Sequence, residues 1–140
     1  MQWLVFAFLS AIFAALTAIL AKVGIKGVDS NLATAIRTTV ILVFTWGIVM
    51  FQKTLPQIAT LNKTSVIFLI LSGIATGLSW LFYFRALQIG EVNKVVPIDK
   101  LSLVITIVFA ALFLKEKLTL ATGFGALLMT IGAIVIAFAK

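Results

Sequence analysis

The sequence predicts an all-α membrane protein, a bundle of five transmembrane helices joined by short loops. Three observations carry this. The chain has 140 residues, of which 63% are hydrophobic, against about 45–50% in a soluble domain. Its mean hydropathy is +1.25. Its apolar residues also fall into five long stretches, each close to the roughly 20 residues that cross a bilayer as a helix. Those stretches show no period-two alternation and are about twice the length of a barrel strand, which argues against a membrane β-barrel. Five spans use about 100 residues, so residues 1–140 read as one transmembrane domain with no extramembrane catalytic domain.

Span one covers about residues 3–23. No basic side chain precedes it and it outruns a signal-peptide core, so it reads as a retained helix. Ala7, Ala11 and Ala15 recur every four residues, a spacing that lets another helix approach closely. Lys22 and Lys26 end the span, and Gly27-Val28-Asp29-Ser30 forms the turn, with Ser30 or Asn31 as the expected N-cap. Span two covers about residues 31–51, with Arg37 inside its pattern. Lys53, Pro56 and Lys63 mark the longest loop, a polar interfacial connection. Span three covers about residues 64–89. Gly73 and Gly77 make a GxxxG match that favours close helix packing. Trp80, Phe82, Tyr83 and Phe84 cluster before Arg85. Span four covers about residues 95–114 and opens on Val96-Pro97-Ile98-Asp99-Lys100. Pro97 fits a first helical turn, or marks a kink if the helix starts earlier. Lys115-Glu116-Lys117 is a tight turn, and span five covers about residues 118–139.

Composition removes several kinds of chemistry. The chain has no cysteine and no histidine. Thiolate sites, the usual proton shuttle and a Ser-His-Asp arrangement are therefore absent. No cofactor or metal is expected, and a lone membrane aspartate falls short of a catalytic constellation. The net charge of +7 sits mainly at span ends, so it reads as headgroup anchoring and not as a nucleic-acid surface. The implied setting is multi-pass, in a bacterial or archaeal inner membrane.

Alternating the spans defines two sides. Side A holds Lys53, Lys63, Lys115 and Lys117; side B holds Lys22, Lys26, Arg85, Lys94 and Lys140. Orientation follows the Lys/Arg bias, and this near balance permits both orientations. Two opposed copies would then form an inverted pair, a symmetry that many transporters build from internal repeats. Arg37, Arg85, Asp99 and Lys100 lie within spans, toward side B. Arg37 and Asp99 sit at similar depth, about 6–9 Å, so an ion pair between them is possible. Asp99 and Lys100 point about 100° apart on a continuous helix and should not share a partner. These residues read either as a polar vestibule open to side B or, for the long cations, as side chains reaching the headgroups. Asp99 is the sharper signal, because aspartate is too short to snorkel far.

With these motifs on the page, the chain resembles one EamA-type unit of the drug/metabolite transporter superfamily. Leu78-Ser79-Trp80-Leu81-Phe82-Tyr83-Phe84-Arg85-Ala86-Leu87 followed by Gly90 resembles that family's third helix. Val96-Pro97 resembles its fourth-helix proline, and Lys115-Glu116-Lys117-Leu118 its turn, with Lys115 in place of the usual glycine. Pro97-Ile98-Asp99-Lys100-Leu101-Ser102 looks like the signature of a short single-unit subgroup. The resemblance covers the whole chain. It implies one half of an inverted-repeat transporter fold that needs a second copy or a related five-helix protein. It implies transport of a small organic solute, with Ser10, Thr17, Trp80, Tyr83 and Pro97 as candidate lining and Asp99, Lys100 and Arg37 as pathway or coupling candidates. The mid-span glutamate of the related small multidrug resistance proteins is absent from span one. Two alternatives stay open: a non-transport membrane subunit, and a lipid-carrier flippase component whose Arg37 or Lys100 binds a headgroup phosphate.

Overall fold

A computed structural model describes residues 2–139. Lys140, counted above on side B, lies outside the described residues. Six α-helices and one 3-10 turn follow in chain order: α1 (Gln2–Gly24), α2 (Ser30–Phe51), the 3-10 turn (Leu55–Thr60), α3 (Lys63–Ile89), α4 (Val92–Asp99), α5 (Leu101–Phe113) and α6 (Leu120–Phe138). Among the described residues there is no strand. Five segments are long and apolar enough to cross a membrane, with α4 and α5 together making the fourth, Val92–Phe113.

The chain divides into two compact units. One comprises the residues up to Lys22 together with those from Ile89 onward; the other is Val23–Gln88. In the first, α6 packs along both α4 and α5. At the end of α1, Lys22 Nζ donates to the Gly90 carbonyl at 2.6 Å, so Lys22 turns inward onto backbone as well as ending the span. In the second unit, α2 and α3 run antiparallel through the 3-10 turn. Gln88 Nε2 donates to the Val28 carbonyl at 2.9 Å, which ties the end of α3 to the turn before α2.

The local chemistry explains the helix ends. Asp29, and not Ser30 or Asn31, caps α2: its Oδ1 accepts from the Asn31 and Leu32 amides at 2.9 and 3.1 Å. A carboxylate one residue earlier reaches two free amides at once, and its charge suits the helix start. At the other end of α2, Lys53 takes a φ of 56°. Its amide bonds to the Met50 carbonyl and that of Thr54 to the Val49 carbonyl, at 3.1 and 3.2 Å. This is a Schellman motif built on a lysine, where glycine is the usual choice. The loop expected to be simply polar contains the Leu55–Thr60 turn, with Pro56 in its first positions. Thr119 caps α6 by accepting from the Thr122 amide at 3.1 Å.

The fourth span departs from the expected single helix. It begins at Val92, which places Pro97 inside α4 and not in a first turn. Proline supplies no amide to the carbonyl four residues back, and its ring crowds that carbonyl. The ladder resumes after Lys100 with a tighter step, Leu103 N–H to the Lys100 carbonyl at 3.0 Å. The result is two helices, Val92–Asp99 and Leu101–Phe113, meeting at Lys100.

Very little of this surface suits water. Large apolar side chains are exposed along every helix, Leu120 at 96% and Phe51 at 89%. Contiguous apolar exposure of this extent marks a membrane or partner surface. The buried positions are Ala18, Ile25, Ser30, Thr34, Phe84, Leu87 and Ala133. Five of these seven belong to the Val23–Gln88 unit, toward the side-B ends of α2 and α3.

Candidate functional site

The polar face of α2 is read directly from its spacing. Ser30, Thr34, Arg37 and Thr38 fall at helical intervals of three and four, so they share a face. Ser30 and Thr34 are buried. The Thr34 hydroxyl donates to the Ser30 carbonyl and that of Thr38 to the Thr34 carbonyl, both at 2.8 Å. Back-bonding of this kind satisfies hydroxyls where water is scarce.

On α3, Gly73, Gly77, Trp80, Phe84 and Leu87 likewise share one face. Phe84 and Leu87 are buried near its end. The Tyr83 ring meets the Phe84 ring edge-on at 6.3 Å between centroids. Arg37 joins the two helices. Its guanidinium carbon lies 3.9 Å from the centre of the Trp80 ring and 5.3 Å from that of Phe84. A planar cation over an indole is the strongest form of cation–π contact.

A second cluster lies on the broken fourth span. Lys100 Nζ and Asp99 Oδ2 are 3.3 Å apart. Sequence reasoning held that these neighbours should not share a partner; a pair between the two themselves was not among its expectations. The Asp99 carboxylate is about one-third exposed, and Pro97 is half-buried two residues before it. Arg37 has its aromatic partners within the Val23–Gln88 unit, and Asp99 has its ion-pair partner within the other. Nearby, Glu91 and Lys94 pair at 3.4 Å in the first turn of α4.

The remaining candidates are dispersed. Thr17 is half-buried and Ser10 exposed on α1. Arg85 is exposed and donates to Gln88 Oε1 at 2.6 Å. Gly73 and Gly77 have open space where a β-carbon would stand, so no close helix contact occurs at either within the described chain. An open cleft of about 250 Å³ near the α5–α6 turn is lined by Thr106, Glu116, Lys117 and Thr122, among others. No group of three or more His, Cys, Asp or Glu side chains among the described residues is placed to hold a metal ion.

Four partnerships escaped the sequence: Arg37 with Trp80, Arg37 with Phe84, Gln88 with the Val28 carbonyl, and Lys22 with the Gly90 carbonyl. The first two had a signal, since Arg37 and the Trp80–Phe84 segment lie at matching depths on antiparallel spans. The two backbone acceptors had none, because any residue type carries a carbonyl.

Five apolar helices with short connections, and ionisable groups held inside them, define a multi-pass helical membrane protein. The chain belongs to the EamA-like transporter family, which it matches over residues 1–138. It is 46% identical over 136 residues to a protein of Sinorhizobium sp. described as an uncharacterised transporter in the cobO 3′ region, covering 97% of this chain and 96% of that protein. No solved structure matches it. The protein is thus a membrane transporter by family.

Proposed function

We propose that the chain is half of a transporter for a small organic solute, completed by a second copy inserted in the opposite orientation, and that it acts in a bacterial or archaeal inner membrane without catalysing a reaction. The observation that carries this reading is the broken fourth span. Transporters place discontinuous helices at their sites, where freed backbone groups and half-helix ends face substrate or coupling ion. Here the break holds Asp99 and Lys100 as an intramembrane ion pair, with Pro97 two residues before the aspartate. A charge inside a span costs about 2.5–3.5 kcal/mol on insertion scales, so a pair kept there is a candidate for the pathway or its coupling.

The opposed copy is supported by two further features. The lysines and arginines divide almost evenly between the two sides, which leaves orientation weakly biased. Gly73 and Gly77 also offer an open, close-approach face. Pro97, Tyr83, Trp80, Thr17 and Ser10 are the candidate lining residues.

The test has two parts. Reporters active on one side only, fused to the C-terminus, should signal from both sides of the membrane. Purified protein in vesicles should then move solute, and Asp99→Asn should insert normally while lowering that flux. A single orientation would remove the homodimer and require a related partner of opposite orientation. Normal dual insertion with no flux of any solute would favour the non-transport subunit.

A further inference from the structure

We infer that Arg37, stacked on Trp80, binds an anionic oxygen group, a carboxylate or a phosphate, and that the transported solute is therefore an anion. This rests on the transporter reading above and names its substrate class.

The stack occupies only one part of the guanidinium. Its carbon lies over the Trp80 ring at 3.9 Å and over the Phe84 ring at 5.3 Å. Its N–H donors radiate in the plane, as a fork that matches carboxylate and phosphate oxygens. Among the described residues of its own unit, Val23–Gln88, no oxygen accepts a hydrogen bond from Arg37. The one acid of its own unit, Asp29, is committed to the α2 cap. Within its unit Arg37 therefore holds its positive charge with its N–H donors uncommitted.

Depth argues against a headgroup anchor. Arg37 lies seven positions beyond Ser30, the start of α2, or roughly 10 Å along the axis. Trp80 lies nine positions before Ile89, the end of α3, or roughly 13 Å. The Gln88–Val28 hydrogen bond keeps those two ends level. A side chain reaching for headgroups would extend from α2 toward its N-terminus, the direction helical side chains already favour. The Arg37 guanidinium is instead closer to Trp80, the deeper ring, than to Phe84, the shallower one. It is held inward, beside rings that suit an apolar or aromatic part of the same solute.

The test uses Trp80 as its own reporter. The chain has three tryptophans, so Trp3→Phe with Trp46→Phe leaves Trp80 alone. In an uncharged detergent, iodide should quench this fluorescence saturably and several-fold more effectively than neutral acrylamide does. Benzoate and inorganic phosphate should protect against iodide, and benzamide should not. Arg37→Gln should abolish the iodide excess while leaving acrylamide quenching unchanged, the sign of an intact fold; Arg37→Lys should retain part of it. Iodide quenching that is linear in concentration, or equal in Arg37→Gln, would overturn the assignment.

Vesicles separate the two sources of anion. Protection by benzoate or phosphate in phosphatidylcholine vesicles, with no effect of added phosphatidylglycerol, supports a free solute. Suppression of iodide quenching by phosphatidylglycerol alone assigns the group to a lipid headgroup and overturns the solute assignment. Quenching reads binding and not flux, so intact quenching without flux counts against the transporter reading alone. Flux indifferent to solute charge counts against this inference alone.

Discussion

At the residue scale, the structure turns on a few side chains that do jobs their type makes costly or specific. Lys115 has a φ of 56°, in the left-handed region that glycine adopts most readily. An L-residue pays about 1–2 kcal/mol for that backbone region. Lys115→Gly should therefore raise stability by about 1 kcal/mol. Thermal unfolding in detergent, followed by circular dichroism, would check it. A lower midpoint would mean that the lysine side chain itself holds the turn. Asp29 gives a second prediction. Its carboxylate accepts from two amides, so Asp29→Ala should cost about 1 kcal/mol. Asp29→Asn should keep most of that, since it retains the acceptor oxygen. Equal losses in the two variants would show that charge at the helix start matters more than the hydrogen bonds.

At the element scale, the fourth span is the decisive piece. Pro97 was legible as a perturbation, but its position in the helix was not. The start of α4 at Val92 decides whether proline sits harmlessly in a first turn or disrupts an interior one. That start depends on Glu91 adopting an extended conformation after Gly90, which no apolar pattern marks. Pro97→Ala restores an amide to face the Asn93 carbonyl. Amide hydrogen exchange at Lys100–Leu103 should slow, and solute flux should fall while insertion is normal. Unchanged exchange would assign the break to the packing of α6 along both α4 and α5. The α2–α3 pair shows the opposite balance. Its lengths and antiparallel order were readable from hydropathy. Its register was not, because Arg37 over Trp80 and Gln88 on the Val28 carbonyl involve residues some 40 to 60 positions apart.

At the scale of the whole molecule, the main feature is how little one copy buries. Along α2, Ser30 and Thr34 alone are buried, and along α6 Ala133 alone. Lipid covers such faces at no cost, and so does a second copy. Orientation should respond to charge. Replacing Lys53 and Lys63 by Gln removes the basic residues of the side-A loop, so side B should become cytoplasmic in nearly all molecules. A C-terminal reporter would then signal from one side only. If the opposed pair is the working form, flux should collapse with the loss of mixed orientations. Flux that persists in a uniformly oriented population would exclude the antiparallel pair.

The sequence by itself determined the class of this protein. Hydrophobic runs of span length, the missing histidine and cysteine, and the charges at span ends depend only on composition along the chain. The bilayer reads those properties span by span. Tertiary structure alone decided which intramembrane charges find partners. Asp99 met Lys100 where α4 gives way to α5, and Arg37 met Trp80 and Phe84 because two antiparallel helices settled in one register. A side chain's partner depends on helix phase, depth and the rotation of a neighbouring helix. Those quantities exist only once the helices are packed.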